Sequence, residues 1–148
     1  MRAALFCRKG CMATLEKKFE FDSDCGPLKS FRDELGRMMR ESAFDEKAIG
    51  EFLLAVQEAI TNVIRHAYAG TKGRVEITVQ DCADRMTLWI QDFGRCFDIT
   101  RVPDPVLPKE KPGGLGIYLI KKMVDEIQYD DCKGRGNRLC LVKYKKRP

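Results

Sequence analysis

Glu58, Asn62 and His66 stand four residues apart in the stretch Glu51–Tyr68, EFLLAVQEAITNVIRHAY. At about 100° per residue that spacing sets a carboxylate, an amide and an imidazole in one stripe along a helix. An amide oxygen is a good ligand for Mg²⁺, which keeps several waters and takes phosphate oxygens as well. A carboxylate one turn earlier can position or deprotonate a nucleophile beside the same phosphate. Taken alone, the stripe reads as a polar helix edge. Asp92-Phe93-Gly94 ends an alternating segment. A carboxylate there can accept a hydrogen bond from an exocyclic amine such as that of adenine. Gly94 lets the backbone come close to a flat ring. Gly113-Gly114-Leu115-Gly116 opens a helical pattern after a loop. Free N–H groups at a helix start bind anions, and glycines permit close approach. This motif lacks the Lys-Ser/Thr of a P-loop and does not follow a strand as a Rossmann fingerprint does.

The elements that must position these groups can be read from periodicity. Phe52, Leu53, Val56, Ala59, Ile60, Val63, Ile64 and Ala67 fall within roughly 140° of a helical wheel, a face that docks on a sheet. The main helix therefore runs from near Glu46 to near Ala67, capped by Phe44-Asp45 and weakened by Gly50. Before it, Leu28, Phe31, Leu35, Met38 and Met39 mark an amphipathic helix that ends near Glu41. Ala3–Cys7 and Thr14–Phe21 read as strands around Arg8-Lys9-Gly10, with Leu15, Phe19 and Phe21 alternating. Val75, Ile77 and Val79 alternate, as do Met86, Leu88 and Ile90, which makes an antiparallel hairpin. Phe97–Pro112 holds Pro103, Pro105, Pro108 and Pro112 without a regular period and is expected to be a mobile loop. A helix then places Leu119, Ile120, Met123, Val124 and Ile127 inward, and Arg138–Tyr144 is a last strand after a Gly134–Asn137 turn. The expected architecture is α+β: helices on one face of a mixed, mostly antiparallel sheet. Strands and helices do not alternate, so a doubly wound fold is excluded.

With 148 residues, 44% hydrophobic and 33% charged, the chain fits one soluble domain over 1–148 with a real core. No run approaches the ~20 apolar residues of a membrane span, and Arg8-Lys9 breaks the opening apolar run, which argues against a secretion signal. The seven cysteines form no C-x-x-C pair and the single histidine argues against structural zinc. Free thiols in a reducing cytosol are expected, with Cys7–Cys11 pairing across a hairpin as the lesser alternative. Much of the net charge of +5 lies in Lys143, Lys145, Lys146 and Arg147. A solvated strand end explains them better than a nucleic-acid surface.

EAITNVIRHAY, DFGRCFD and GGLGIYLIKKMVDEI together resemble the three nucleotide-binding boxes of the GHKL ATP-binding superfamily. The short chain, the HAY ending, the D-x-G-x-x-F-D form and the GGLGI run look most like the bacterial anti-sigma factor serine/threonine kinases. The resemblance implies a Bergerat-type two-layer α/β sandwich that binds ATP and Mg²⁺. By the same resemblance Asn62 would hold the metal. Glu58 would act as general base toward a Ser or Thr hydroxyl. Asp92 would bind the adenine amino group with Gly94 beside the ring. The amides of Gly114, Leu115 and Gly116 would grip phosphate, flanked by Gly113 and Ile117. Phe97 would begin an ATP lid. His66 would close the helix in a structural or metal-adjacent role, and Arg65 could touch phosphate or partner. Two positions depart from the pattern. Asn137 follows Gly136 where the superfamily often has Thr, and Lys109 and Lys111 are the nearest basic residues where some members carry Arg before the glycine box.

The function implied is a cytoplasmic anti-sigma factor kinase. Its partners would be a sigma factor and an anti-anti-sigma protein of the STAS type, with homodimerisation possible. The rival is an ATP-responsive binding module of the same fold with little or no kinase activity. A detached histidine-kinase catalytic domain ranks below both, because no dimerisation helix precedes the boxes.

Overall fold

The computed structural model describes residues 12–24, 26–107, 114–131 and 133–146. The expected Ala3–Cys7 strand and the Cys7–Cys11 pair lie outside them. In chain order the elements are β1 (Leu15–Asp22), α1 (Leu28–Glu41), α2 (Glu46–Asn62), β2 (Arg74–Asp81), β3 (Arg85–Asp92), α3 (Gly116–Met123), β4 (Glu126–Asp130) and β5 (Asn137–Tyr144). The strands form one sheet in the order β1-β2-β3-β5-β4, and every described pair is antiparallel.

The period-two pattern of the strands selects which residues reach the helices. Val75, Ile77 and Val79 of β2, Met86, Leu88 and Ile90 of β3, and Leu139 and Leu141 of β5 are buried in the core with α1 and α2 residues. From α2 come Phe52, Ala55, Val56, Ala59 and Ile60, all essentially without exposure. Burying a side chain of this size contributes about 1.5–3 kcal/mol. Leu53 and Ile64, expected on the same face, are only partly buried at its margin. Phe31 of α1 meets Phe19 of β1 edge-on, with ring centroids 4.9 Å apart. Asp45 starts α2 as expected: its Oδ1 accepts from Ala48 N at 2.7 Å. The Lys146 ammonium and that N–H hold its carboxyl below the usual range.

Four features differ from the expectations. The main helix is not α-helical to Ala67. It changes at Val63–Ala67 into one π-helical turn, where Tyr68 N donates to Val63 O at 3.2 Å. A wider turn of this kind releases carbonyls that an α-helix would use, and such turns gather at functional sites. The third helix stops at Met123 rather than carrying Ile127. Val124 is extended, Asp125 N donates to Val142 O at 2.9 Å, and Lys143 Nζ takes Met123 O at 2.8 Å. The chain thus leaves the helix for the sheet, and Ile127 reaches the core from β4, opposite Leu141. The loop after Phe97 is anchored at its start: Ile99 sits in a short 3₁₀ turn and is buried. Cys82 is disulfide-bonded, against the expectation of free thiols, while Cys96 is a free, exposed thiol.

Candidate functional site

Asp92 continues the inward row Met86, Leu88, Ile90 by one more alternate position, beyond the apolar core. Its carboxylate is therefore delivered to the end of the sheet under α2 and is only 5% exposed. Asn137 is its cross-strand partner on β5. Asn137 Nδ2 donates to Asp92 Oδ1 at 2.9 Å and lies near the carbonyls of Gly94 and Arg95 at 3.1 and 3.2 Å. Gly94 N also donates to Asp92 Oδ1, at 3.0 Å. One carboxylate oxygen is thereby pinned. Burial raises the Asp92 carboxyl above its ordinary value, opposed by the hydrogen bonds from Asn137 and Gly94.

The turn that follows is held on several sides. Arg95 N donates to Ala67 O at 3.0 Å and Arg95 Nε to His66 O at 2.8 Å, carbonyls at the π-helical turn. Phe93 N donates to Tyr68 Oη at 2.9 Å, and that hydroxyl donates to Arg74 O. Gly94 was expected to clear space for a ring. Its immediate constraint is internal: a Cβ there would sit 2.3 Å from Ala67 O. Gly136, at φ +94°, is constrained likewise, since a Cβ would meet Asp92 O at 2.4 Å.

A recess opens beside this turn. It is lined by Ala59, Asn62, Val63, Ala67, Asp92, Phe97, Ile99, Tyr129 and Leu139, an apolar cavity with one carboxylate and one amide. That composition suits a flat heterocycle with a few polar edges. Phe97 stacks on His66, with centroids 4.2 Å apart and planes 20° from parallel. Burial, then the charges of Arg65 and Arg95, push the His66 imidazole down from its ordinary pKa.

Asn62 is buried at the mouth of the recess and its Nδ2 donates to Glu58 O at 2.9 Å. Its amide oxygen is left as the acceptor. The start of α3 packs against the same two residues. A Cβ on Gly116 would lie 2.5 Å from Glu58 Oε2 and 3.8 Å from Asn62 Nδ2. Of the expected residues, Asn62, Asp92 and Phe97 line the recess itself, while Glu58 and Gly116 meet beside Asn62, His66 stacks on Phe97, and Gly94 and Asn137 hold Asp92. Gly114 lies just before α3 at φ +71°, Leu115 is 39% exposed, and Ile117 packs on the core. Arg65 is exposed on the π-helical turn. Lys111 and Gly113 lie outside the described residues. Sequence reading missed Ala59, Val63, Ala67, Ile99, Tyr129 and Leu139 as lining residues. The apolar ones carry only a core signal, and nothing local marks Tyr129.

The antiparallel sheet with its helices on one face, and a recess between α2, the π-helical turn and the sheet strands β3, β4 and β5, give the architecture of a Bergerat-type two-layer α/β sandwich. The histidine kinase-like ATPase domain family matches residues 21–143, and the chain belongs to this family, the GHKL superfamily that its three boxes resemble. It is similar to the serine-protein kinase RsbW of Listeria innocua serovar 6a, 27% identical over 146 residues, 90% of each chain. The serine-protein kinase RsbW of Bacillus cereus strain AH187 is 32% identical over 110 residues, 69% of this chain and 66% of that protein. Among solved structures, the RsbU and RsbW domains of Rv1364c from Mycobacterium tuberculosis share the fold, with a TM-score of 0.66 at 17% identity. That likeness covers 91% of this chain and 34% of the other.

Proposed function

We propose that this protein is an ATP- and Mg²⁺-dependent serine/threonine kinase of the anti-sigma type. It would sequester a sigma factor and phosphorylate a hydroxyl of a STAS-type anti-anti-sigma partner. The observation that carries this reading is the meeting of Glu58 and Asn62 with Gly116 beside a recess that Asn62 and the buried Asp92 both line. The kinase names of the relatives support the reaction class.

In this reading the free oxygen of Asp92 accepts the adenine amine while Asn137 and Gly94 hold the other. The backbone N–H groups at Gly114, Leu115 and Gly116 donate to phosphate oxygens. The amide oxygen of Asn62 is a fitting ligand for Mg²⁺. Among the described residues no group of three or more His, Cys, Asp or Glu could hold a metal, so an ion here would draw on phosphate and water. When bound, that ion supplies charge neutralisation of the phosphates. Glu58 takes the proton of the attacking hydroxyl. His66, packed on Phe97, serves as wall rather than base. Arg65 is free to reach phosphate or partner. Lys111, which follows the sequence resemblance alone, is the candidate cation for the transferring phosphoryl group. A cytoplasmic location goes with a sigma-factor partner, and no helix among the described residues is long and apolar enough to cross a membrane.

The test is transfer from γ-labelled ATP to the cognate antagonist in the presence of Mg²⁺, with Glu58→Gln beside the native protein. Native transfer with a loss of at least about 100-fold in the variant is expected for a general base. Equal transfer by both proteins would sink the role of Glu58. Nucleotide-dependent partner binding without any transfer would favour the binding-module reading instead.

A further inference from the structure

Tyr129 belongs to none of the three boxes, yet it stands at the recess. It sits on β4, opposite Leu139, and its ring lines the cavity with Asp92, Phe97 and Ile99. Its hydroxyl accepts from Phe97 N at 3.0 Å and donates to Cys96 Sγ at 3.3 Å. Burial, then the contact with Cys96, pushes the phenol above its ordinary pKa, so the hydroxyl stays neutral and keeps both contacts at neutral pH. The Asp92–Arg95 part of the turn is fastened from the π-helical turn, Tyr68 and β5, as described above. Tyr129 fastens its exit. Residue 97 is where that matters, because its ring stacks on His66 and closes the recess toward the π-helical turn.

We propose that Tyr129 is a positioning residue for the nucleotide base: through the Phe97 backbone it sets the Phe97–His66 wall against which the base would pack. This rests on the nucleotide-site reading above. The phosphate end, at Glu58, Asn62 and Gly116, belongs to α2 and α3, and Tyr129 does not line it. Tyr129 therefore affects how well the base is held and not the transfer step. Residue type matters in a specific way. The ring fills the cavity wall, and the hydroxyl alone reaches the main chain of residue 97.

Tyr129→Phe separates the two, because it keeps the ring and removes the acceptor. Binding of ATP and ADP is measured by calorimetry, transfer at saturating ATP by radiolabel, and binding of inorganic triphosphate by competition. Loss of one neutral hydrogen bond should weaken ATP and ADP about three- to tenfold. The KM for ATP should rise by the same factor, while kcat stays within about twofold. Inorganic triphosphate, which lacks a base, should bind the variant and the native protein equally. Phe97→Leu, which keeps the backbone N–H but breaks the stack on His66, should show the same triphosphate-neutral loss. Unchanged ATP affinity in Tyr129→Phe, or a loss for triphosphate equal to that for ATP, would overturn the role of Tyr129. Failure of the native protein itself to bind ATP would instead remove the nucleotide-site reading on which it rests.

Discussion

Gly116→Ala tests whether the meeting of α2 and α3 is catalytic. The added Cβ would lie 2.5 Å from Glu58 Oε2, about 0.9 Å short of the 3.4 Å at which ordinary contact begins. The obstructing atom is the end of a flexible side chain, so the helices need not part and Glu58 retreats instead. The backbone N–H of residue 116 is kept, and nucleotide binding should stay within about threefold. Replacing glycine in the first turn of α3 should be neutral or stabilising by up to about 1 kcal/mol. A displacement near 1 Å of a group that must meet a hydroxyl proton can cost about 100-fold in rate. The expected outcome is a native or higher melting temperature, near-native ATP affinity, and single-turnover transfer reduced roughly 10- to 100-fold. Thermal melting, calorimetry and a quenched-flow radiolabel assay read these separately. Native-rate transfer by a well-folded Gly116→Ala protein would refute the placement of Glu58 at the reacting hydroxyl.

Asp92→Asn keeps an oxygen for Asn137 and Gly94 and removes a buried charge, so its melting temperature should hold or rise. It also turns an NH₂ toward the adenine amine, and calorimetry should find ATP affinity lower by about 10- to 100-fold. In the native protein burial raises the Asp92 carboxyl. The folded state therefore holds that proton more tightly than the unfolded chain, and this group's contribution to stability falls as pH rises from the unfolded to the folded pKa. ATP affinity runs the other way: it should decline as pH drops toward the raised pKa, and a flat affinity profile from about pH 8 to 4 would contradict the assignment. Gly50 is exposed within α2, and no atom comes within 4 Å of a Cβ placed there. Gly50→Ala should add about 0.5–1 kcal/mol, read by urea denaturation, with kinase activity unchanged.

Much of the site was legible because its residues break local rules in ways that need a reason. Glu58 and Asn62 lie beside an apolar face, Asp92 prolongs an inward row of Met86, Leu88 and Ile90, and glycines cluster before α3. Each alone has a bland explanation, and it is their order along the chain that carries the resemblance. What escaped was decided by tertiary contacts. The inward spacing of Ile127 suits a helix as well as an edge strand, and the choice falls to Lys143 and Val142, which take the backbone groups at the helix end. The π-helical turn leaves no mark in residue type, because Val63–Ala67 fits an α-helical wheel equally well. Tyr129 lies just past the end of the third box, and only the antiparallel pairing of β4 with β5 carries it to the recess.

The same contacts explain why this end of the sheet tolerates a carboxylate in its interior. An unpaired buried charge is costly, and the usual remedy is a cation. Asp92 is given neutral donors instead, from Asn137 and the Gly94 backbone, which offset part of the burial that raises its pKa. A cation at that place would hold the carboxylate more firmly but would occupy the oxygen that an amine-bearing ligand needs. Asn137 does the holding with an amide that has only donors to offer on that side, and it uses the same nitrogen to meet the carbonyls of Gly94 and Arg95. Asn137 stands where the resemblance implies a Thr. Its amide reaches both the carboxylate and the turn, and so ties the acid to a backbone that the Ala67 and His66 carbonyls and the Tyr68 hydroxyl hold from the other side.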